Sequence, residues 1–211
     1  MNSEFLRQEK TSEEKLKEKE DYWQAVDQEM DDVGDALGKE IDPGIRKTVV
    51  ALNVMGLTPD GSCEGHLDWG CPHPWVDIAE PNEPERFKGE SAEKMKEETD
   101  EYKKWIATNK ELREMVERLL EEFYKGREVS KEMKIGIENI GGTGLFRLQN
   151  GDNIFLGEKE YGIKKKKKSK LAKDLTPDEK EKLKDILPIL RGEMDAFGDF
   201  LKNKFLNDEN I

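Results

Sequence analysis

A stripe of apolar residues near the end of the chain constrains the fold more than any other sequence feature. Residues 176–179 read Thr-Pro-Asp-Glu, which combines an N-cap, a proline at the first helical position and a box-closing glutamate, and so predicts a helix start. Apolar side chains then recur at spacings of three and four, which places them on one helix face that needs a partner. The stripe consists of Leu183, Leu187, Leu190, Met194, Phe197, Leu201 and Phe205.

A second stripe with the same period lies near the beginning of the chain, after a capping box formed by Thr11 and Glu14. The two stripes are natural partners, either within one chain or across a homodimer formed through the terminal helices. We expect packing within the chain, and a partner-binding coiled coil is the alternative. The second stripe consists of Trp23, Val26, Met30, Val33 and Leu37.

Other segments alternate in polarity or are rich in glycine, which is typical of short strands joined by turns. Asp42 and Pro43 predict the start of a short helix over about residues 45–55, and residues 91–125 have a helical pattern. The sequence therefore predicts an α+β fold, with a small, mainly antiparallel sheet packed by helices and with long N- and C-terminal helices. The expected strands cover residues 62–67, 75–79, 133–140, 145–149 and 153–156.

These patterns divide the chain into four parts. We expect an N-terminal helical arm at residues 1–40, an α+β core at 41–160, a Lys-rich linker at 161–175 and a C-terminal helix at 176–211. The linker contains five consecutive lysines, Lys164 to Lys168. We interpret this run as a solvated linker, and a foothold for nucleic acid or for an acidic partner is the alternative.

The composition excludes several classes of function. The formal net charge is -12 and 40% of the residues are charged, which argues against binding nucleic acid over the whole surface. No run approaches the roughly 20 apolar residues that span a bilayer, and the first residues do not resemble a signal peptide. The expectation is a cytoplasmic protein with no membrane contact, whose partner is a small ligand or another protein.

One short window holds every cysteine and histidine of the chain, as Cys63, His66, Cys71 and His73. Thiolate and imidazole are ligands that zinc prefers, so the first hypothesis is a Zn2+ site formed by these four residues. In this interpretation the site is structural and belongs to a non-catalytic protein-interaction module. The spacing matches none of the common zinc-finger patterns.

The preferred hypothesis follows from strand alternation. If residues 62–67 are extended, Cys63 points into the core while Glu64 and His66 point to the opposite face, and Asp77 on the next strand joins them. A carboxylate beside an imidazole prepares a general base or a metal ligand, so Glu64, His66 and Asp77 are the candidate catalytic residues, with His73 above them. Two alternatives stay open. His66 and Asp77 can merely satisfy each other, and Cys63 can be a nucleophile with His66 as its base.

The segment from residue 44 to residue 78 resembles small prokaryotic and phage proteins that carry an S-C-x-G-H motif after a helix and a turn. The resemblance implies a motif and no reaction. The segment is also faintly similar to the tRNA wybutosine-pathway methyltransferase family, in which an S-C-S-G-R strand follows a helix; here His66 replaces the arginine, and no methyl-donor motif is visible. The matching residues are Gly56, Leu57, Thr58, Ser62, Cys63, Gly65, His66 and Pro74 to Ile78.

Overall fold

The computed structural model describes residues 10–34, 38–81, 83–84, 99–140, 144–161 and 164–208, and for residues 158–161 and 164–166 it describes the backbone alone. The helices are α1 (Ser12–Glu29), α2 (Pro43–Val54), α3 (Asp100–Tyr124) and α4 (Pro177–Asn207), with a short 3-10 helix at Ala172–Asp174. The strands are β1 (Pro59–Cys63), β2 (Trp75–Ile78), β3 (Gly136–Asn139), β4 (Phe146–Gln149), β5 (Leu156–Tyr161) and β6 (Lys164–Ser169). This architecture confirms the predicted α+β fold with its long C-terminal helix.

The main sheet has four strands in the order β1-β2-β4-β3, and every neighbouring pair is antiparallel. Alternation divides its central strands as the sequence predicts. The fully buried face carries Val76, Ile78, Phe146 and Leu148, whereas Asp77 lies opposite Arg147 in the register of β2 and β4. The predicted hairpin between residues 62 and 79 is therefore present, although its first strand covers residues 59–63.

Helix α2 is buried on most sides because nearly every residue after its first turn is small or apolar, and it packs against α4. The Thr48 hydroxyl donates a hydrogen bond to the carbonyl oxygen of Met194, at 2.9 Å. Gly198 permits this close approach, since a Cβ atom there would lie 3.2 Å from the Thr48 amide nitrogen. Packing of α2 against α4 thus fixes the position of the start of α2.

The two terminal stripes meet within one chain, as expected. The Trp23 and Phe205 rings lie 6.2 Å apart, and both side chains belong to the same core cluster as α2 and the sheet. Helix α1 ends earlier than predicted, at Glu29, so Val33 lies outside it and is exposed; Leu37 falls outside the described residues.

Between residues 10 and 208, no described helix is long and apolar enough to cross a membrane.

The structure differs from two sequence interpretations between residues 153 and 169. Residues 152–154 form a turn where a strand was predicted, and β5 begins only at Leu156. The expected linker contains a strand, because Lys164–Ser169 pairs with β5 as a separate two-stranded sheet. In that register Glu158 and Glu160 lie opposite Lys167 and Lys165.

Candidate metal centre

The loop between β1 and β2 brings distant residues together because the strand stops at Cys63. Gly65 has a φ of +81°, a conformation that side-chain-bearing residues rarely adopt, so the chain turns sharply there. Two backbone hydrogen bonds then close the loop. The His66 amide donates to the Cys71 carbonyl at 3.0 Å, and the Ala172 amide donates to the Gly70 carbonyl at 2.9 Å.

The turn places His66 beside Cys63 and beside Asp42, the residue that precedes α2. One ligand atom from each residue, a carboxylate oxygen, a thiol sulfur and a ring nitrogen, lies within 4.8 Å of the other two. Cys63 is 5% exposed, and the His66 side chain is 16% exposed. Together these residues form a mixed O, S and N group that could hold a metal ion.

The His66 ring is fixed in orientation and yet incompletely satisfied. It stacks on the Trp69 ring, with the ring centroids 3.7 Å apart and the planes 19° apart. Its Nε2 atom lies 3.3 Å from Asp42 Oδ2, which is close enough for an ion pair, but the atoms are not aligned for a hydrogen bond. Nε2 is therefore a buried polar atom without a hydrogen-bond partner, which is costly in a folded protein.

A second network braces the loop from behind. The Arg191 side chain, on α4, donates to the carbonyl oxygens of Glu64, at 3.0 Å, and Gly65, at 2.7 Å. Arg191 also forms an ion pair of 2.6 Å with the Glu64 carboxylate, whose other oxygen accepts a 2.7 Å hydrogen bond from the Gly44 amide at the start of α2. The cluster is thus held between the two packed helices.

The cluster opens into a cleft of about 350 Å³ that Asp42 and Cys63 help to line. Trp69, which is 53% exposed, and Trp75 form part of its walls. Lys39 lies at its rim, with Nζ 5.0 Å from the centre of the Trp69 ring. An ion at the cluster would therefore border a space large enough for a small ligand.

Burial keeps the thiol of Cys63 and the imidazole of His73 neutral in the metal-free protein. Burial raises the pKa of Cys63 to about 11, opposed in part by a hydrogen bond from the Gly65 amide and reinforced by the negative charge of Asp42. Burial lowers the pKa of His73 to about 4, against a hydrogen bond with the Pro74 carbonyl. The imidazole of His73 is therefore uncharged at neutral pH.

Comparison with protein-family models, with curated proteins and with solved structures gives no match for this chain. The similarities noted from the S-C-x-G-H motif therefore stay predictions. The chemistry of the site rests on its own geometry.

The predicted four-residue zinc site is only partly assembled. Cys63 and His66 belong to the cluster, whereas Cys71 and His73 are not among its three members. Cys71 lines the same cleft and is not joined to Cys63 by a disulfide. His73 is buried, with its backbone packed against Gly65.

The geometric basis of the predicted trio of Glu64, His66 and Asp77 was wrong, because the strand ends at Cys63 and does not continue to residue 67. Each of the three side chains has a different partner. Asp77 accepts two hydrogen bonds from Arg147, at 2.6 and 2.8 Å. Glu64 pairs with Arg191, and His66 lies beside the carboxylate of residue 42.

Alternation also predicted that Cys63 and His66 lie on opposite faces, and the turn at Gly65 overturns this because it brings the two side chains together. Sequence reasoning missed Asp42 as a site residue. Asp42 was predicted to be the N-cap of α2, and the structure confirms this position. Because capping already explained why an aspartate stands there, the sequence did not indicate a second role for it. The side chain makes no capping hydrogen bond and instead accepts one from the Glu64 amide, at 3.2 Å.

Proposed function

We propose that this chain binds a divalent transition-metal ion at Asp42, Cys63 and His66, with Zn2+ as the preferred metal. We further propose that the ion is the ligand-binding or catalytic centre of the adjoining cleft. One observation carries the proposal: three potential ligand atoms of different chemistry converge within 4.8 Å from separate parts of the chain. Ligands of a tetrahedral zinc ion lie about 3.5 Å apart, so closure on an ion needs a contraction of no more than about 1.3 Å between any two of the atoms.

The donor set supports this choice of metal. Thiolate, imidazole and carboxylate are all zinc ligands, and the carboxylate and thiolate together balance the charge of a divalent cation. The buried Nε2 of His66 supports it independently, since an ion would supply the partner that this atom lacks. The Trp69 ring and the Arg191 network hold the ligand-bearing loop in place, as supporting residues do around metal ions.

Three protein ligands favour an open site over a closed structural one. Zinc sites with three protein ligands keep a position for water or substrate, and the ion there acts as a Lewis acid or lowers the pKa of bound water. The cleft beside Asp42 and Cys63 provides the space for such a ligand. The alternative, a closed site in a non-catalytic interaction module, requires a fourth protein ligand, for which Cys71 is the candidate because it lines the same cleft.

Metal analysis after dialysis, together with titration by Co2+, tests the proposal. We expect about one ion per chain and a near-ultraviolet absorption band from cobalt bound to thiolate. Asp42→Asn, Cys63→Ser and His66→Gln each remove a ligand and are expected to weaken or abolish binding. Cys71→Ser and His73→Gln are matched controls from the same window, and both are expected to retain the ion.

The open coordination position has its own readout. Addition of azide to the cobalt-loaded protein is expected to change its visible spectrum, since an exogenous anion can enter an open site. An unchanged spectrum together with loss of metal from Cys71→Ser supports the closed alternative. A wild-type chain that retains neither ion contradicts the proposal altogether.

A further inference from the structure

The cleft beside the metal cluster has more acidic than basic residues in its lining. Three acidic residues, Glu40, Asp42 and Asp60, help to line it, and Lys39 is the one basic residue among them. A divalent ion bound together with the Cys63 thiolate adds a single net positive charge to this set. The lining therefore stays formally negative with or without the ion, which favours a positively charged ligand.

Two tryptophans, Trp69 and Trp75, are aromatic walls of the same cleft. The Trp75 ring lies along β1, since a Cβ atom at Gly61 would be 3.6 Å from Cζ3 of this ring, and Gly61 itself lines the cleft. The Arg147 guanidinium lies over the Trp75 ring, with Cζ 3.9 Å from the ring centre. The faces of an indole ring carry partial negative charge, so they attract cations.

One face of Trp69 already holds a cation that belongs to the chain itself. The His66 ring stacks on Trp69 and lines a second cavity, which Trp69 and Arg191 also line. Lys39 lines the cleft instead, with Nζ 5.0 Å from the centre of the Trp69 ring. Trp69 thus separates the two cavities, and the ammonium group of Lys39 lies on the side of the cleft.

We propose that the cleft binds an organic cation, a protonated or quaternary amine, whose charged nitrogen lies over the Trp69 ring in place of the Lys39 ammonium. The proposal names the class of ligand for the cleft, and it rests on the proposed function for the ion beside that ligand. Aromatic walls are the usual means by which proteins recognise quaternary ammonium groups. Lys39 is an exposed residue on a flexible stem, so a ligand can displace it. An anionic ligand would instead be repelled by the acidic lining.

Nuclear magnetic resonance of the indole N–H groups tests the proposal on the full chain, with choline as the probe. The chain has four tryptophans and so four such signals. The signals of Trp69 and Trp75 are expected to shift saturably, with a dissociation constant on the order of 1 mM for so small a ligand. Trp23 and Trp105 do not line the cleft, and their signals are expected to stay in place. The neutral alcohol in which a tert-butyl group replaces the trimethylammonium group of choline is expected to bind at least about tenfold more weakly.

Two pairs of variants test the parts of the site separately. Lys39→Met removes the competing ammonium group and is expected to tighten choline binding about fivefold, whereas Lys39→Arg keeps a cation and is expected to change it by less than about twofold. Glu40→Gln with Asp60→Asn removes two charges from the lining and is expected to weaken choline binding about fivefold. Glu101→Gln with Glu111→Gln makes the same change in net charge on the exposed surface of α3 and is expected to leave choline binding unchanged. The dispersion of the same spectra confirms that each variant is folded.

Titration with a chelator and then with Zn2+ allows this proposal and the metal proposal to fail separately. Choline binding is expected in both conditions, because the lining stays negative in both. A chain that binds choline and takes up no cobalt contradicts the metal site and supports the cation site. Cobalt uptake with no shift of the Trp69 and Trp75 signals by choline overturns the cation site alone.

Three further results overturn the proposal. Equal affinity for choline and for its neutral analogue indicates an apolar cavity with no preference for charge. Equal losses in the two acidic double variants indicate attraction to the net charge of the whole chain. A Lys39→Met variant that binds choline no more tightly than the wild-type chain shows that the ligand does not take the place of the Lys39 ammonium.

Discussion

Substitution of Gly65 by alanine tests whether the turn after β1 builds the metal cluster. Gly65 has a φ of +81°, and a Cβ atom there would lie 2.8 Å from the carbonyl carbon of His73 and 2.9 Å from Cδ1 of Leu187. The leucine methyl can rotate away, but the His73 backbone cannot move without disturbing the loop. Gly65→Ala therefore combines backbone strain with a backbone collision.

Gly56 is the matched control because its φ is +74° and a Cβ atom there meets nothing within 4 Å. Gly56→Ala then measures the cost of the left-handed conformation alone, about 1 kcal/mol. The collision at Gly65 adds about 2 kcal/mol, the usual range for overpacking, so Gly65→Ala is expected to destabilise the protein by about 3 kcal/mol. The difference between the two variants, about 2 kcal/mol, isolates the contact with His73.

Urea unfolding followed by tryptophan fluorescence, in the presence of a chelator, gives both free energies of unfolding. A difference of about 2 kcal/mol corresponds to a shift of about 1 M in the midpoint when the slope is about 2 kcal/mol per molar. Cobalt titration gives a second readout, since Gly65 lies between two ligands and Gly56 does not. If Gly65→Ala is no less stable than Gly56→Ala and binds cobalt normally, the turn does not position the cluster as we describe.

Two further predictions concern the residues around the loop. His73 has a pKa of about 4 in the folded protein and of about 6.5 in the unfolded chain, so the unfolded state binds more protons between these two pH values. The contribution of His73 to stability is therefore complete above pH 6.5. It falls by about 3 kcal/mol as the pH drops toward 4. His73→Gln is expected to remove that part of the pH dependence in urea unfolding with a chelator present, and an unchanged profile contradicts the assignment. Arg191→Met leaves the Glu64 carboxylate, which is 17% exposed, without its ion-pair partner. It is expected to lower the free energy of unfolding by about 3 kcal/mol and to weaken cobalt binding. Lys47→Met, which removes an exposed pair with Asp199, is the control and is expected to cost less than about 1 kcal/mol.

The fold was predictable from the sequence where the pattern is long and regular. The stripe from Leu183 to Phe205 needs a helix of about six turns, and capping signals at Thr11 and Thr176 place two helix starts that the structure confirms with complete capping boxes. Short elements were placed less well. The strand predicted over residues 62–67 ends at Cys63, because a single glycine with positive φ decides whether alternation continues, and glycine also occurs inside ordinary strands.

The candidate site was only half predictable for the same reason. Clustering of cysteine and histidine in the sequence identified Cys63 and His66, but residues close in sequence need not point to one place, and His73 is buried apart from the cluster. Asp42 lies more than twenty residues upstream of both. Its contribution depends on how α2 docks beside the loop, and such long-range packing leaves no periodic trace in a single sequence.

The exchange of capping roles at the start of α2 explains how Asp42 becomes available. An aspartate at an N-cap ordinarily accepts from the first turn of its own helix, and the positive end of the helix dipole favours a carboxylate there. Here Glu64 accepts from the Gly44 amide, at 2.7 Å, and Gly44 leaves room for it, since a Cβ atom would lie 2.6 Å from the glutamate oxygen. Because Glu64 satisfies the helix end, Asp42 can turn toward His66 without leaving that amide unpaired. Glu64, which lies between Cys63 and His66 in the sequence, thus acts on the site indirectly. It accepts the hydrogen bond at the start of α2 and so leaves the Asp42 side chain available to the cluster.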